Sequence, residues 1–330
     1  MKKIFALLLS AALLVTLLAA CGGGTTTDTD TDAQEPATDA STTQVEEQEP
    51  DTGDASKDDP LNQDEIGEKE LLVVSFGTSY NDSRRETIGA IEKAMQTAFP
   101  DYSVRRAFTS QIIIDHVKDR DGVTIDNVEQ ALERAVNNGV KTLVVQPTHL
   151  MNGLEYEELT DELAKYSDSF EKIAIGDPLL TSDADFEAVM TAITDATKDA
   201  ADGKTAICFM GHGTTADSNS VYSKMQTLLT DKGFNDYYVG TVEATPSLDD
   251  VLAAVQKGSY EKVVLRPLMI VAGDHANNDM AGDEDDSWKS AFEKAGYTVD
   301  CQVEGLGQLE AIQQLFVEHA KAAVASAEAE

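Results

Sequence analysis

From Leu71 onward, short continuous apolar runs alternate with longer stretches of helical period. Leu71 to Phe76 is polar only at Ser75, the pattern of a strand buried on both faces of a parallel sheet. Gly77-Thr78-Ser79 turns the chain, and Ser83 with Glu86 has the spacing of a capping box ahead of a helix over 86–99. Further strands are expected over 102–108, 142–146 and 172–175, with helices over 125–137, 157–166 and 185–198, the last capped from Ser182. Strands alternating with helices predict an α/β fold with parallel sheets.

The order then begins again. Thr205 to Met210 is a buried strand followed by Gly211-His212-Gly213-Thr214, which echoes Ser75-Phe76-Gly77-Thr78. A strand over 237–242 leads into a helix over 247–255, and Arg266-Pro267 repeats the strand end Gln146-Pro147. Gly153 falls opposite Gly273. Residues 71–201 and 202–330 therefore read as two similar doubly wound parallel-sheet halves facing a central cleft. The repeat aligns Phe76 with His212, Thr109 with Glu243 and Glu155 with His275.

The beginning of the chain is different material. Lys2 and Lys3 precede an apolar run from Ile4 to Leu18, and Leu18-Ala19-Ala20 leads into Cys21. This resembles a bacterial lipoprotein signal, with Cys21 lipidated as the mature N-terminus and the chain held outside the cytoplasm on the membrane. Residues 22–70 carry 16 acidic side chains against two lysines and few large apolar ones, which predicts a disordered acidic linker. The whole chain carries a formal charge of −35, which argues against a phosphate backbone as partner.

Composition narrows the chemistry less than position does. His212, Glu243 and His275 each follow the C-terminal end of an expected strand, where ligands of open α/β sheets gather. Two imidazoles and a carboxylate suit Co²⁺, Fe²⁺, Ni²⁺ or Zn²⁺ with positions left open. His149 follows Pro147 at a strand end and is placed to line the cleft; His116 and His319 read as ordinary helix residues. Cys208 and Cys301 read as small apolar strand residues. The chain has no P-loop, no G-x-G-x-x-G and no G-x-S-x-G.

Several segments resemble the anaerobic cobalt chelatases, the sirohydrochlorin cobaltochelatases. They are Val74 to Tyr80, Gln146 to His149 with Gly153 to Tyr156, Met210 to Thr214, Val242 to Ala244, and Arg266 to Met269 through Gly273 to Asp279. The resemblance implies the two-lobed chelatase fold and insertion of Co²⁺, with Fe²⁺ or Ni²⁺ as alternatives, into sirohydrochlorin for anaerobic cobalamin synthesis. It makes His212, Glu243 and His275 the metal-binding and catalytic residues, with Ser75, His149 and Glu155 on the tetrapyrrole side, and no organic cofactor. Sirohydrochlorin bears eight carboxylates, so a cation should meet it, and Arg84 beside a helix start is the first choice, ahead of Arg105, Arg106 and Arg266. The rival reading is a membrane-anchored haem, corrinoid or metal carrier supplying a transporter, and an exported chain also leaves room for a second copy as partner. The leader generates one expectation: Cys21→Ser should move the chain from the membrane fraction to the soluble fraction, checked by fractionation and mass spectrometry of the N-terminus.

Overall fold

The computed structural model describes residues 52–329; the leader, Cys21 and residues 22–51 of the expected linker lie outside them. The first half runs β1 (Lys69–Ser75), α1 (Asn81–Glu86), α2 (Ile88–Ala98), β2 (Ser103–Phe108), α3 (Gln111–Asp121), α4 (Val128–Asn137), β3 (Thr142–Pro147), α5 (Leu154–Ala164), β4 (Lys172–Ile175) and α6 (Asp183–Thr197). The second runs β5 (Thr205–Gly211), α7 (Ser220–Asp231), β6 (Tyr237–Thr241), α8 (Leu248–Val255), β7 (Lys262–Pro267), α9 (Trp288–Lys294), β8 (Thr298–Cys301) and α10 (Glu310–Ala329).

Each half holds one all-parallel sheet, ordered β2-β1-β3-β4 in the first and β6-β5-β7-β8 in the second. The identical order is what a duplication requires. The register sharpens it: Val74 pairs with Pro147 as Met210 pairs with Pro267, so Phe76 corresponds to His212. Ser75 pairs with Phe108 as Gly211 pairs with Thr241, which sets Ser110, not Thr109, opposite Glu243. The backbone agrees, because the Ser110 N–H donates to Phe76 O as the Glu243 N–H donates to His212 O.

The expected helix over 86–99 is two helices. Thr87 (φ −112°, ψ −76°) breaks the run, and the helix begins earlier, at Asn81. Ser83 does not close a capping box; its Oγ accepts the Ala272 N–H (3.0 Å) from the other half. The helix expected around His116 is α3, which carries three consecutive isoleucines, Ile112 to Ile114, in its first turn.

The expected linker stops short. Residues 52–66 pack as a strap along the free edge of β2: the Arg106 N–H donates to Leu61 O (3.1 Å) and Gln63 Nε2 to Val104 O (3.3 Å). Leu61 is buried in the core. Composition alone misses this because the strap's acids meet arginines distant in sequence, Asp58 with Arg84 and Arg106, Asp64 with Arg134.

The boundary near residue 201 does not separate two cores. α10 leaves the second half and covers β3, β4, α2 and α6 of the first, while α6 lies against α7. The Ile312, Phe316, Ala320, Ala323 and Ala327 stripe has helical spacing and needs an apolar face to cover. One apolar cluster consequently joins Val73 and Phe186 to Phe209, Tyr222 and Phe316. Lys172 Nζ donates to Ala327 O (2.8 Å), and His319 Nε2 lies 3.1 Å from Asp185 Oδ1. Cys208 and Cys301 are both free, and each pairs with Leu265 from a flanking strand. They are thus two strand spacings apart, about 9.6 Å, too far for a disulfide. Among the described residues no helix is long and apolar enough to cross a membrane. Phe316 is fully buried in the shared cluster, so Phe316→Ala should cost about 3–5 kcal/mol and loosen both halves together, checked as one cooperative denaturant transition at lower midpoint.

Candidate active site

The loops after the strands enclose a cavity of about 700 Å³. Two glycines at matched positions make the mouth. Gly77 has φ +103°, and a Cβ there would sit 2.6 Å from the Phe108 ring. Gly213 has φ +89°, and its Cβ would sit 2.9 Å from Ala244 and Thr241. Only glycine fits both the left-handed backbone and the close approach. Each turn sends the preceding residue, Phe76 or His212, to the cavity wall.

The two walls differ. The first half contributes Phe76, Ile112, Ile113, Met151 and Leu154. Phe76, Ile112 and Leu154 are 50%, 82% and 54% exposed, an amount of open apolar surface that marks a binding face. The second half contributes His212, Glu243, Asp274 and His275. Four of the chain's five histidines line the cavity, since His116 and His149 join from the first half.

His212 and His275 meet edge to face, with ring centroids 4.7 Å apart and planes at 81°. His212 Nδ1 lies 2.7 Å from Gly213 O, which can only accept, so Nδ1 carries the proton and the Nε2 lone pair is free. His275 Nδ1 lies 2.8 Å from Asp279 Oδ2, which orients that ring in the same sense. His275 opens a single π-helical turn, Ala276–Met280, which reaches back to place Asp279 against it. Glu243 is exposed on the same wall. Among the described residues no three His, Cys, Asp or Glu side chains cluster tightly enough to hold an ion. The expected triad is therefore a histidine pair with a carboxylate nearby, not a closed cage.

His149 lines the cavity with both ring nitrogens sealed from solvent and without a hydrogen-bond partner. Burial pushes its pKa down to about 4, opposed by the charge of Glu155. Glu155 lines the cavity from the first turn of α5. Ser218 Oγ is likewise buried and unpartnered beside Gly153.

Two expected ring-binding residues are elsewhere. Ser75 is buried and its Oγ accepts from Thr148 Oγ1 (2.7 Å), tying β1 to β3. Arg84 is fully buried, bonded to Asp58 and to Thr78 O, because a guanidinium this far inside must be paired. Arg105, Arg106 and Arg266 are buried in ion pairs too, and among the described residues no Arg or Lys lines the cavity. His116, read as ordinary, belongs to the site. The signal was its place four residues after Ile112, on the helix that follows a strand end.

The model of the cobalt chelatase (CbiK) family matches residues 69–325. The chain is 38% identical over 251 residues to the sirohydrochlorin cobaltochelatase of Salmonella typhimurium, covering 76% of this chain and 94% of that one. It is 30% identical over 260 residues to the sirohydrochlorin cobaltochelatase CbiKC of Nitratidesulfovibrio vulgaris, covering 78% and 91%. Among solved structures, SirB from Bacillus subtilis with Fe³⁺ superposes with a TM-score of 0.57 at 14% identity, over 80% of this chain and 98% of that one, a likeness of fold. With its duplicated sheets, its paired histidines and these matches together, the chain belongs to the CbiK cobalt chelatase family.

Proposed function

We propose that the protein inserts Co²⁺ into sirohydrochlorin, as a sirohydrochlorin cobaltochelatase on the oxygen-independent route to cobalamin. The observation that carries this reading is the His212–His275 pair, 4.7 Å apart with both Nδ1 atoms committed to acceptors. Two imidazole Nε2 lone pairs hold a divalent ion while leaving most of its coordination positions to water and then to ring nitrogens. An ion that is cargo must be released, and a two-histidine site with Glu243 nearby binds more loosely than a closed four-ligand site. The same donors accept Fe²⁺ or Ni²⁺.

The apolar wall of Phe76, Ile112 and Leu154 suits the flat face of a macrocycle, opposite the histidine wall. Insertion exchanges one Co²⁺ for two pyrrole protons. Glu155 on the ring side is a carboxylate within the same cavity that can take them, with the buried His149 imidazole beside it held neutral. Among the described residues no Arg or Lys lines the cavity, so the ring's carboxylates find no fixed cation on these walls and lie toward solvent. A carrier of finished metallated rings needs one axial ligand; the second histidine and Glu243 favour insertion. The leader pattern supports a lipid-anchored, extracytoplasmic version of this enzyme.

Two expectations follow from this site. His212→Ala and His275→Ala should each weaken Co²⁺ binding by tenfold or more, a loss of about 1.4 kcal/mol or greater, while Glu243→Gln slows insertion and spares ring binding; calorimetry and absorbance assays with sirohydrochlorin measure both. Unchanged metal affinity in both histidine variants would sink the assignment. His149 titrates near 4 when folded and near 6.5 when unfolded, so the unfolded chain binds the extra proton between those values and stability falls as pH drops through that window. At pH 5 the loss should reach about 2 kcal/mol relative to pH 7, and His149→Leu should remove that part of the pH dependence in denaturant titrations.

A further inference from the structure

The family match begins at residue 69, yet the described residues are packed from Thr52 onward. The strap between them touches the cleft's scaffold at several points. The Asp82 N–H donates to Thr52 O (2.9 Å) and Asn81 Nδ2 to Gly53 O (3.1 Å), so the strap clamps the start of α1. Asp58, its side chain only 3% exposed, accepts from Arg84 Nε (2.6 Å) and from Arg106 Nη1 and Nη2 (2.7 and 3.0 Å).

α1 passes these contacts on to the cleft. Arg84 Nη1 donates to Thr78 O (3.1 Å), and Thr78 lines the cavity between Phe76 and Ser79. Thr78 Oγ1 also abuts Gly273, 3.0 Å from where a Cβ would stand, two residues before His275. The neighbouring Ser83 Oγ accepts the Ala272 N–H. One short helix therefore holds a loop on each side of the cleft, and the strap holds the helix.

We propose that Asp58 is a positioning residue for the reaction, acting through Arg84 on the cavity loop 76–80, so that sequence upstream of the family domain is a working part of the active-site scaffold. The physical basis is that Arg84 stays buried only while a carboxylate pairs it. Without Asp58 the guanidinium turns toward water and lets go of Thr78 O. Burial alone would raise the Asp58 pKa, but the two guanidinium groups more than offset it and hold the carboxyl below its ordinary range. The inference rests on the proposed chelatase reaction for its kinetic part and on loop geometry for the rest.

A built-in control exists. Glu92 pairs with Arg106 (2.6 Å) and bonds neither Arg84 nor Thr78, so losing it leaves the Asp58–Arg84–Thr78 chain of bonds in place. In the full-length chain, Asp58→Asn and Glu92→Gln should both lower the melting temperature, since each breaks a buried pair. At a temperature where both are folded, Asp58→Asn should raise KM for sirohydrochlorin about fivefold and speed amide exchange of residues 76–80, and Glu92→Gln should do neither. If Asp58→Asn does not fold, Arg84→Lys decides, since it keeps the charge facing Asp58 and loses the bond to Thr78 O; the same exchange and KM changes are expected. Equal behaviour of Asp58→Asn and Glu92→Gln, or an Arg84→Lys loop with wild-type exchange and KM, would overturn the proposal. Wild-type protein without turnover, but with the exchange difference intact, would count against the chelatase reading and still support the coupling of strap to loop.

Discussion

A guanidinium in a protein interior must be met by a carboxylate or it does not stay there, and β2 carries two guanidinium groups in succession. Arg105 and Arg106 are 0% and 1% exposed and point to opposite faces of the strand. Arg105 faces Glu70 on β1 and Asp126 ahead of α4; Arg106 faces Glu92 on α2 and Asp58 on the strap. These four carboxylates come from four separate stretches of chain, so satisfying one strand fixes the placement of its sheet neighbour, of the helices on either side and of the segment along its edge. Arg134 extends the set by bonding Asp126 and Asp64. Such pairs contribute little net stability compared with well-packed apolar groups, but any other arrangement leaves a buried charge alone, which is costly. The pairing therefore works by selecting one arrangement over others.

The duplication shows what each half does with its polar residues. In the first, the arginines of β2 and their acids are turned inward to one another, and the wall facing the cleft exposes Phe76, Ile112 and Leu154 beside His116, His149 and Glu155. In the second, the positions matched to Phe76 and Glu155 are His212 and His275. One fold used twice thus yields one wall for a flat apolar face and one wall for an ion. The cleft between them brings two chemically unlike partners together, which neither half could do alone.

Much of this was legible in the residues. Buried strands announce themselves by continuous Val and Leu, which places His212 directly after β5 and His275 in the loop that follows β7. The two positions that misled did so for a shared reason. Arg84 and Asp58 each look solvated when read locally, and only their pairing across 26 residues shows them buried. The shift from Thr109 to Ser110 opposite Glu243 has another cause, since strand-end registers are set by hydrogen bonds that a sequence comparison cannot count. His116 was placed on a helix but its face was misjudged, because the apolar Ile112 and Ile113 of α3 line the cavity while the buried side is Ile114 and Val117.

The crossing of α10 has a consequence for how the chain acquires its fold. The face of the first sheet formed by β3 and β4 is covered by residues 310–329, more than 100 positions downstream. As the polypeptide emerges from the ribosome, that sheet has an open apolar side for most of synthesis and finds its cover only with the last helix. Contacts of this sequence separation make folding slow and leave aggregation-prone surface exposed in the interval. The nascent protein is thus held back from its native state until α10 has been made, a delay that keeps it in a form a chaperone can handle.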